Sequence, residues 1–129
     1  MAKTYNKSKH FDLSYFQTKG TAFFDTLDFS EVDNEEIKAI INCGVPDIEF
    51  YECIFKDLDL KDTDFESKTT FSGCQFNGNT TFENCHFLEN SAFDRSVFNG
   101  IANFNNVRYE QELSFGQIHT KPAKGGYFY

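Results

Sequence analysis

The chain has 129 residues, 17 of them Phe and none Trp, with a formal charge of −8. That length fits one domain, 1–129, with a sizeable core and no room for a separate catalytic domain. No apolar run reaches the roughly 18 residues of a membrane span, and Met1-Ala2-Lys3-Thr4-Tyr5-Asn6-Lys7 lacks the apolar stretch of a secretory signal, so a soluble cytoplasmic protein is expected.

The charge is unevenly spread. Residues 25–66 hold 14 of the 20 acids against Lys38, Lys56 and Lys61, a balance of −11. Residues 1–24 sum to +3, and residues 67–129 to zero. The acidity is one block.

Residues 1–32 carry a weak Phe spacing. Phe11, Phe16, Phe24 and Phe29, with Ala22 and Leu27, predict one irregular N-terminal coil broken near Lys19-Gly20. Residues 33–43 predict a short helix. Asp33 is its N-cap, Glu36 takes the capping-box position, Ile37, Ile40 and Ile41 share a face, and Gly44 and Pro46 stop it. Residues 33–47 are thus a helical insertion that projects from the coil or caps it.

From residue 48 to 117 the pattern is strict. Phe50, Phe55, Leu60 and Phe65 lie five apart; Phe71, Phe76, Phe82, Phe87, Phe93, Phe98, Phe104, Tyr109 and Phe115 follow at alternating spacings of six and five. Two residues before each centre stand Ile48, Cys53, Leu58, Thr63, Thr69, Cys74, Thr80, Cys85, Ser91, Ser96, Ala102, Val107 and Leu113, all uncharged. Both sets avoid charge, and the charges fall at the other positions.

The run Thr69-Thr70-Phe71-Ser72-Gly73-Cys74-Gln75-Phe76-Asn77-Gly78-Asn79-Thr80-Thr81-Phe82 resembles the pentapeptide-repeat family in its Phe-rich variety, where an extra residue enters every second repeat. The resemblance implies an all-β fold, a right-handed quadrilateral β-helix in which four repeats close one square coil. Neighbouring coils then align 21 or 22 residues apart, giving the ring columns Phe50-Phe71-Phe93-Phe115, Phe55-Phe76-Phe98, Leu60-Phe82-Phe104 and Phe65-Phe87-Tyr109. Cys53, Cys74 and Cys85 fall on inward positions and read as buried free thiols rather than a disulfide or a reactive site. Residues 118–129, with Lys121-Pro122, Gly125-Gly126 and Tyr127-Phe128-Tyr129, form a flexible or capping tail. It either docks on the last coil or joins a two-fold partner, as the family's C-terminal dimers do.

Chemistry is sparse. His10, His86 and His119 are scattered, the cysteines have no C-x-x-C pair, and no phosphate loop or nucleophile elbow occurs, so neither a catalytic residue, a metal nor a cofactor is assigned. A non-enzymatic protein is expected. What remains is the acidic block: in the repeat register Glu49, Glu52, Asp57, Asp59, Asp62, Asp64 and Glu66 point outward, joined by Asp25, Asp28 and Glu31 on the earlier coil.

Two functions follow. Fixed carboxylates on a rigid rod imitate nucleic-acid phosphates and bind a protein partner with a basic nucleic-acid-binding surface, with no direct binding of nucleic acid or membrane. Alternatively, the acids merely keep a Phe-rich solenoid soluble, and the protein is an interaction or assembly module working through its flat faces, its tail or its helix. The resemblance favours the first, since Qnr-type members of the family imitate DNA in shape and charge and bind DNA gyrase. Those relatives are longer. A short chain with one acidic block suits a phage-encoded inhibitor, such as an anti-CRISPR protein occupying the PAM-reading channel of a CRISPR nuclease, in a bacterial or a phage-infected cytoplasm.

Overall fold

In the computed structural model, which describes residues 2–116 and the backbone of His119–Thr120, the chain winds as a right-handed β-helix of square section. β1 (Lys3–Thr4) precedes two short helices, α1 (Lys7–His10) and α2 (Leu13–Lys19). β2 (Thr21–Asp25) and β3 (Leu27–Asp28) open the coil, α3 (Asn34–Ile41) interrupts it, and β4 (Asp47–Tyr51) and β5 (Ile54–Lys56) start the uninterrupted part.

Four faces result, with every pairing parallel. The first stacks β2, β4, Lys68–Ser72, Ser91–Ala92 and Leu113–Ser114; the second stacks β1, β3, β5, Gln75–Asn77, Val97–Phe98 and His119–Thr120. The third pairs Thr80–Thr81 with Ala102–Asn103 and bridges Asp59 to Thr81. The fourth stacks Asp64–Phe65, His86–Phe87 and Arg108–Tyr109. Phe50 registers on Phe71 and Phe65 on Phe87, the offsets of 21 and 22 that the spacing predicts.

The columns form as expected. Phe50, Phe71 and Phe93 stack at 5.0 Å with planes within 7°, and Phe55, Phe76 and Phe98 at 5.3 and 4.7 Å. Adjacent columns meet edge-on, as between Phe50 and Phe55 at 75°. Each fully buried ring contributes about 1.5–3 kcal/mol by leaving water, and each ring pair about 0.5–1.5 kcal/mol more.

Cysteine and serine recur inside for a definite reason. Backbone N–H groups of Leu88 and Asn99 reach the carbonyls of Phe65 and Phe76 in the coil below. The carbonyls of Phe24, Phe50, Phe71 and Leu60 instead accept from side chains: the thiols of Cys53 (3.3 Å), Cys74 (3.3 Å) and Cys85 (2.9 Å) and the hydroxyl of Ser96 (3.0 Å). A short side chain with a donor satisfies such a carbonyl inside the coil. All of these thiols are buried and free.

The N-terminal segment departs from the expected irregular coil. β2 and β3 continue the first and second faces regularly, with Phe24 stacked on Phe50 and Phe29 on Phe55. Phe11 and Phe16, however, lie on and beside helices. Asn6 accepts from the Ser8 N–H, Asp12 accepts from the Tyr15 N–H, and Gly20 closes α2 at φ 76°, so capping signals override a chance spacing. Phe16 packs edge-on against Phe24 and closes that column, and Tyr5, in register from β1, stacks on Phe29 at 4.6 Å as the outermost ring of the next.

α3 replaces the third and fourth faces of that coil. Asp33 caps it by accepting from the Glu35 N–H at 3.0 Å, and Ile37, Ile40 and Ile41 are buried in one core with Leu60 and Phe65. The Asn34 carboxamide accepts from the Asp59 N–H, and the Val45 carbonyl accepts from the Ser67 hydroxyl, which fixes the insertion to the coil it covers. In the last described coil Tyr109 registers on Phe87 but is 60 % exposed, contrary to its inward assignment: strand pairing with the fourth face holds while the ring stays in water. The predicted tail 118–129 lies outside the described residues apart from the short 119–120 strand.

Candidate protein-binding interface

The ten candidate acids are outward-facing, and none is buried. A square coil distributes outward residues around its perimeter, so they form a belt. Asp25 and Glu49 lie on the first face, Asp28 on the second, and Glu52 at the corner between them. Asp57 turns the next corner, Asp59 lies on the third face, Asp62 turns the following corner, and Asp64 and Glu66 flank Phe65 on the fourth. Glu31 sits in the connection before α3, whose first turn adds Glu35 and Glu36. The belt is therefore densest over the third and fourth faces and α3.

Several of these acids also build the corners. Asp57 and Asp62 adopt φ 48° and 61°, the left-handed region that Asn, Asp and Gly tolerate best. Asp57 accepts from the Asn79 N–H at 3.1 Å and sits in the notch over Gly78, where an added Cβ would lie 2.0 Å from its oxygen. Asp62 accepts from the Asn84 carboxamide, Asp59 from the Lys61 N–H, Asp28 from the Ser30 N–H and Asp25 from the Thr26 hydroxyl. Glu49, Glu52, Asp64, Glu66 and Glu31 have no side-chain partner among the described residues, so their charge is wholly available. Three lysines intrude: Lys56 is exposed on the second face directly before Asp57, Lys61 stands 3.9 Å from Asp59, and Lys38 shares a shallow groove with Asp62, Asp64 and Glu66.

The groups with displaced titration lie inside. Burial pushes the Cys85 thiol and the Tyr5 phenol up to about 12 and Cys74 well above the usual thiol range. Such thiols are protonated and poor nucleophiles. Among the described residues no three His, Cys, Asp or Glu side chains group so as to hold a metal ion, and no helix is long and apolar enough to cross a membrane. His86 donates from Nε2 to the Glu110 carboxylate at 2.6 Å between adjacent coils of the fourth face, as a surface pair.

A family model for pentapeptide repeats, in nine copies, matches residues 50–91 and 71–119, more than half of the chain. The chain belongs to the pentapeptide-repeat family. A comparison with curated proteins and one with solved structures each give no match. As in any pentapeptide-repeat coil, the repeat positions fix which side chains face out.

Sequence reasoning passed over one feature of that outer surface. Exposed Phe23 and half-buried Tyr51 form a ring pair on the outer side of the first face, between Asp25 and Glu49. The signal was there in the doublet Phe23-Phe24, since a strand turns only one of two consecutive residues inward.

Proposed function

We propose that this pentapeptide-repeat protein is a non-enzymatic inhibitor that presents carboxylates to the basic nucleic-acid-binding surface of a DNA-processing enzyme. The observation that carries the reading is the belt: the seven acids from Glu49 to Glu66 all face outward on one coil, and they are backed by Asp25, Asp28 and Glu31. Lysines and arginines shaped to neutralise phosphates gain comparably from carboxylates held on a rigid scaffold, where no side-chain ordering remains to be done.

The belt's height selects among targets. Coils rise about 4.8 Å, so two acidic coils span roughly 10 Å, a length over which duplex DNA carries about six phosphates. That imitates a few base pairs. It suits a channel reading a short duplex element, such as the PAM site of a CRISPR nuclease, better than the long duplex held by gyrase.

The test compares the protein with Asp57→Asn/Asp59→Asn/Asp62→Asn/Asp64→Asn in CRISPR-nuclease cleavage and gyrase supercoiling assays. Asn keeps the corner acceptors and tolerates left-handed φ, so the fold is expected to survive while inhibition and its salt dependence are lost. Inhibition undiminished in the quadruple variant would sink the mimicry reading. Inactivity of the parent protein in both assays, with a host protein captured equally by parent and variant, favours an assembly module instead.

A further inference from the structure

The N-terminal end of the first face carries a compact pattern. Phe23 and Asp25 project outward from β2, Glu49 and Tyr51 from β4, and the register sets Phe23 beside Glu49 and Asp25 beside Tyr51. The rings thus occupy one diagonal of a square, with centroids 6.4 Å apart and planes 31° apart, and the carboxylates occupy the other. Phe23 is 47 % exposed, the one exposed Phe among the described residues.

The fold does not require rings at these positions. Later coils place Thr70, Ala92 and Ser114 in the row of Phe23, and Ser72 in the row of Tyr51. Nor are the carboxylates occupied within the protein: Glu49 has no partner among the described residues, and Asp25 accepts only the Thr26 hydroxyl at 2.7 Å. Lys3 and His10 share the adjoining depression with Phe23 and Asp25, yet neither forms an ion pair there.

Two ring faces interleaved with two carboxylates attract a flat cation. A guanidinium stacks on an aromatic ring through its weakly hydrated face while its edge donates to carboxylates; an ammonium is more strongly hydrated and has no flat face to stack. We propose that Phe23, Asp25, Glu49 and Tyr51 form an arginine-binding subsite, through which a basic protein partner seats one arginine side chain on the first face. This rests on the acidic-surface reading above and adds the identity of the cation and its place.

The experiment titrates the full-length protein, followed by amide NMR, with a short oligo-arginine peptide and a matched oligo-lysine peptide. The arginine peptide is expected to bind about threefold to tenfold tighter and to shift the amides of the four residues. Phe23→Thr/Tyr51→Ser, residues the same rows carry in the next coils, should equalise the two peptides while leaving salt-dependent binding in place. Asp25→Asn/Glu49→Gln, which keeps both rings, should weaken the arginine peptide in particular. Equal affinities in the parent protein, an arginine preference that survives the ring variant, or shifts confined to the third and fourth faces would each overturn the subsite and leave the belt standing. Failure of both peptides to bind overturns both.

Discussion

The first coil and the last described coil are covered unequally. A solenoid end leaves strand edges and ring faces uncovered. At the N-terminal end Tyr5 and Phe16 cover two ring columns, α3 covers the other two, and Phe24, Phe29, Leu60 and Phe65 are all within 1 % of full burial. In the last described coil Phe104 and Phe115 are only partly buried and Tyr109 is 60 % exposed. The capped end is also where the acids lie, whereas later coils turn out Thr, Ser, Asn and a balanced set of charges. Among the described residues, the cover over the rings and the outward acids are thus concentrated at the N-terminal end, while the regular coils form a uniform shaft.

The largest test of this contrast is a ring deletion. Phe71 is fully buried between Phe50 and Phe93, so Phe71→Ala is expected to cost about 3–5 kcal/mol in urea unfolding. Phe115 stacks on Phe93 and is only partly buried, so Phe115→Ala should cost roughly half as much. Equal costs would mean that the ring column is as well covered at Phe115 as at Phe71 and would remove the asymmetry.

What the sequence made legible follows from the range of each cause. Inward and outward alternation is local, so the Phe columns, the buried thiols and the outward set of every acid from Glu49 to Glu66 could be read directly. The placement of those acids around a perimeter depends on where corners fall, which requires the closed square. Tyr109 fits the inward spacing and registers on Phe87, yet its ring is exposed, so spacing fixed the strand and not the burial. Phe11 and Phe16 fitted the five-residue spacing by coincidence, and the stronger local signals were Asn6, Asp12 and Gly20. The ring pair of Phe23 and Tyr51 needed the register across α3, where the offset grows to 26 residues.

A second, smaller effect separates the shaft's thiols from Cys43, which is half-buried just after α3. Cys85 has its folded pKa raised from 9.0 to about 12, mainly by burial. Above pH 9 the unfolded chain loses that proton while the folded chain keeps it, so the folded state binds more protons and stability falls as pH rises from 9.0 toward 12. Tyr5, raised in the same direction, adds to the loss. Cys85→Ser keeps a donor to the Leu60 carbonyl but does not titrate in this window, so its urea midpoint should fall less steeply with pH than that of the parent protein. A thiol-reactive dye should label Cys43 at once and the other cysteines only on unfolding. Parallel pH slopes for the two proteins would show that Cys85 opens to water before global unfolding.

The smallest effect tests the corners. Thr26 at the capped end adopts φ 56°, a conformation that a β-branched residue resists, and the shaft's Asn84 adopts φ 61° at a corner where Asn is at home. Thr26→Asn removes that strain and sacrifices only an exposed bond to Asp25, so it should raise stability by about 0.5–1 kcal/mol. The reverse exchange, Asn84→Thr, introduces the same strain and breaks the carboxamide bond to Asp62, so it should lower stability by about 1–2 kcal/mol. Opposite signs in thermal unfolding would locate the stored strain at the capped end, beside the Asp25 carboxylate, where relaxing the corner also offers a way to ask whether the position of that carboxylate matters for binding. Loss of stability in both variants would mean instead that the Thr26 hydroxyl, by holding Asp25, contributes more than its backbone costs.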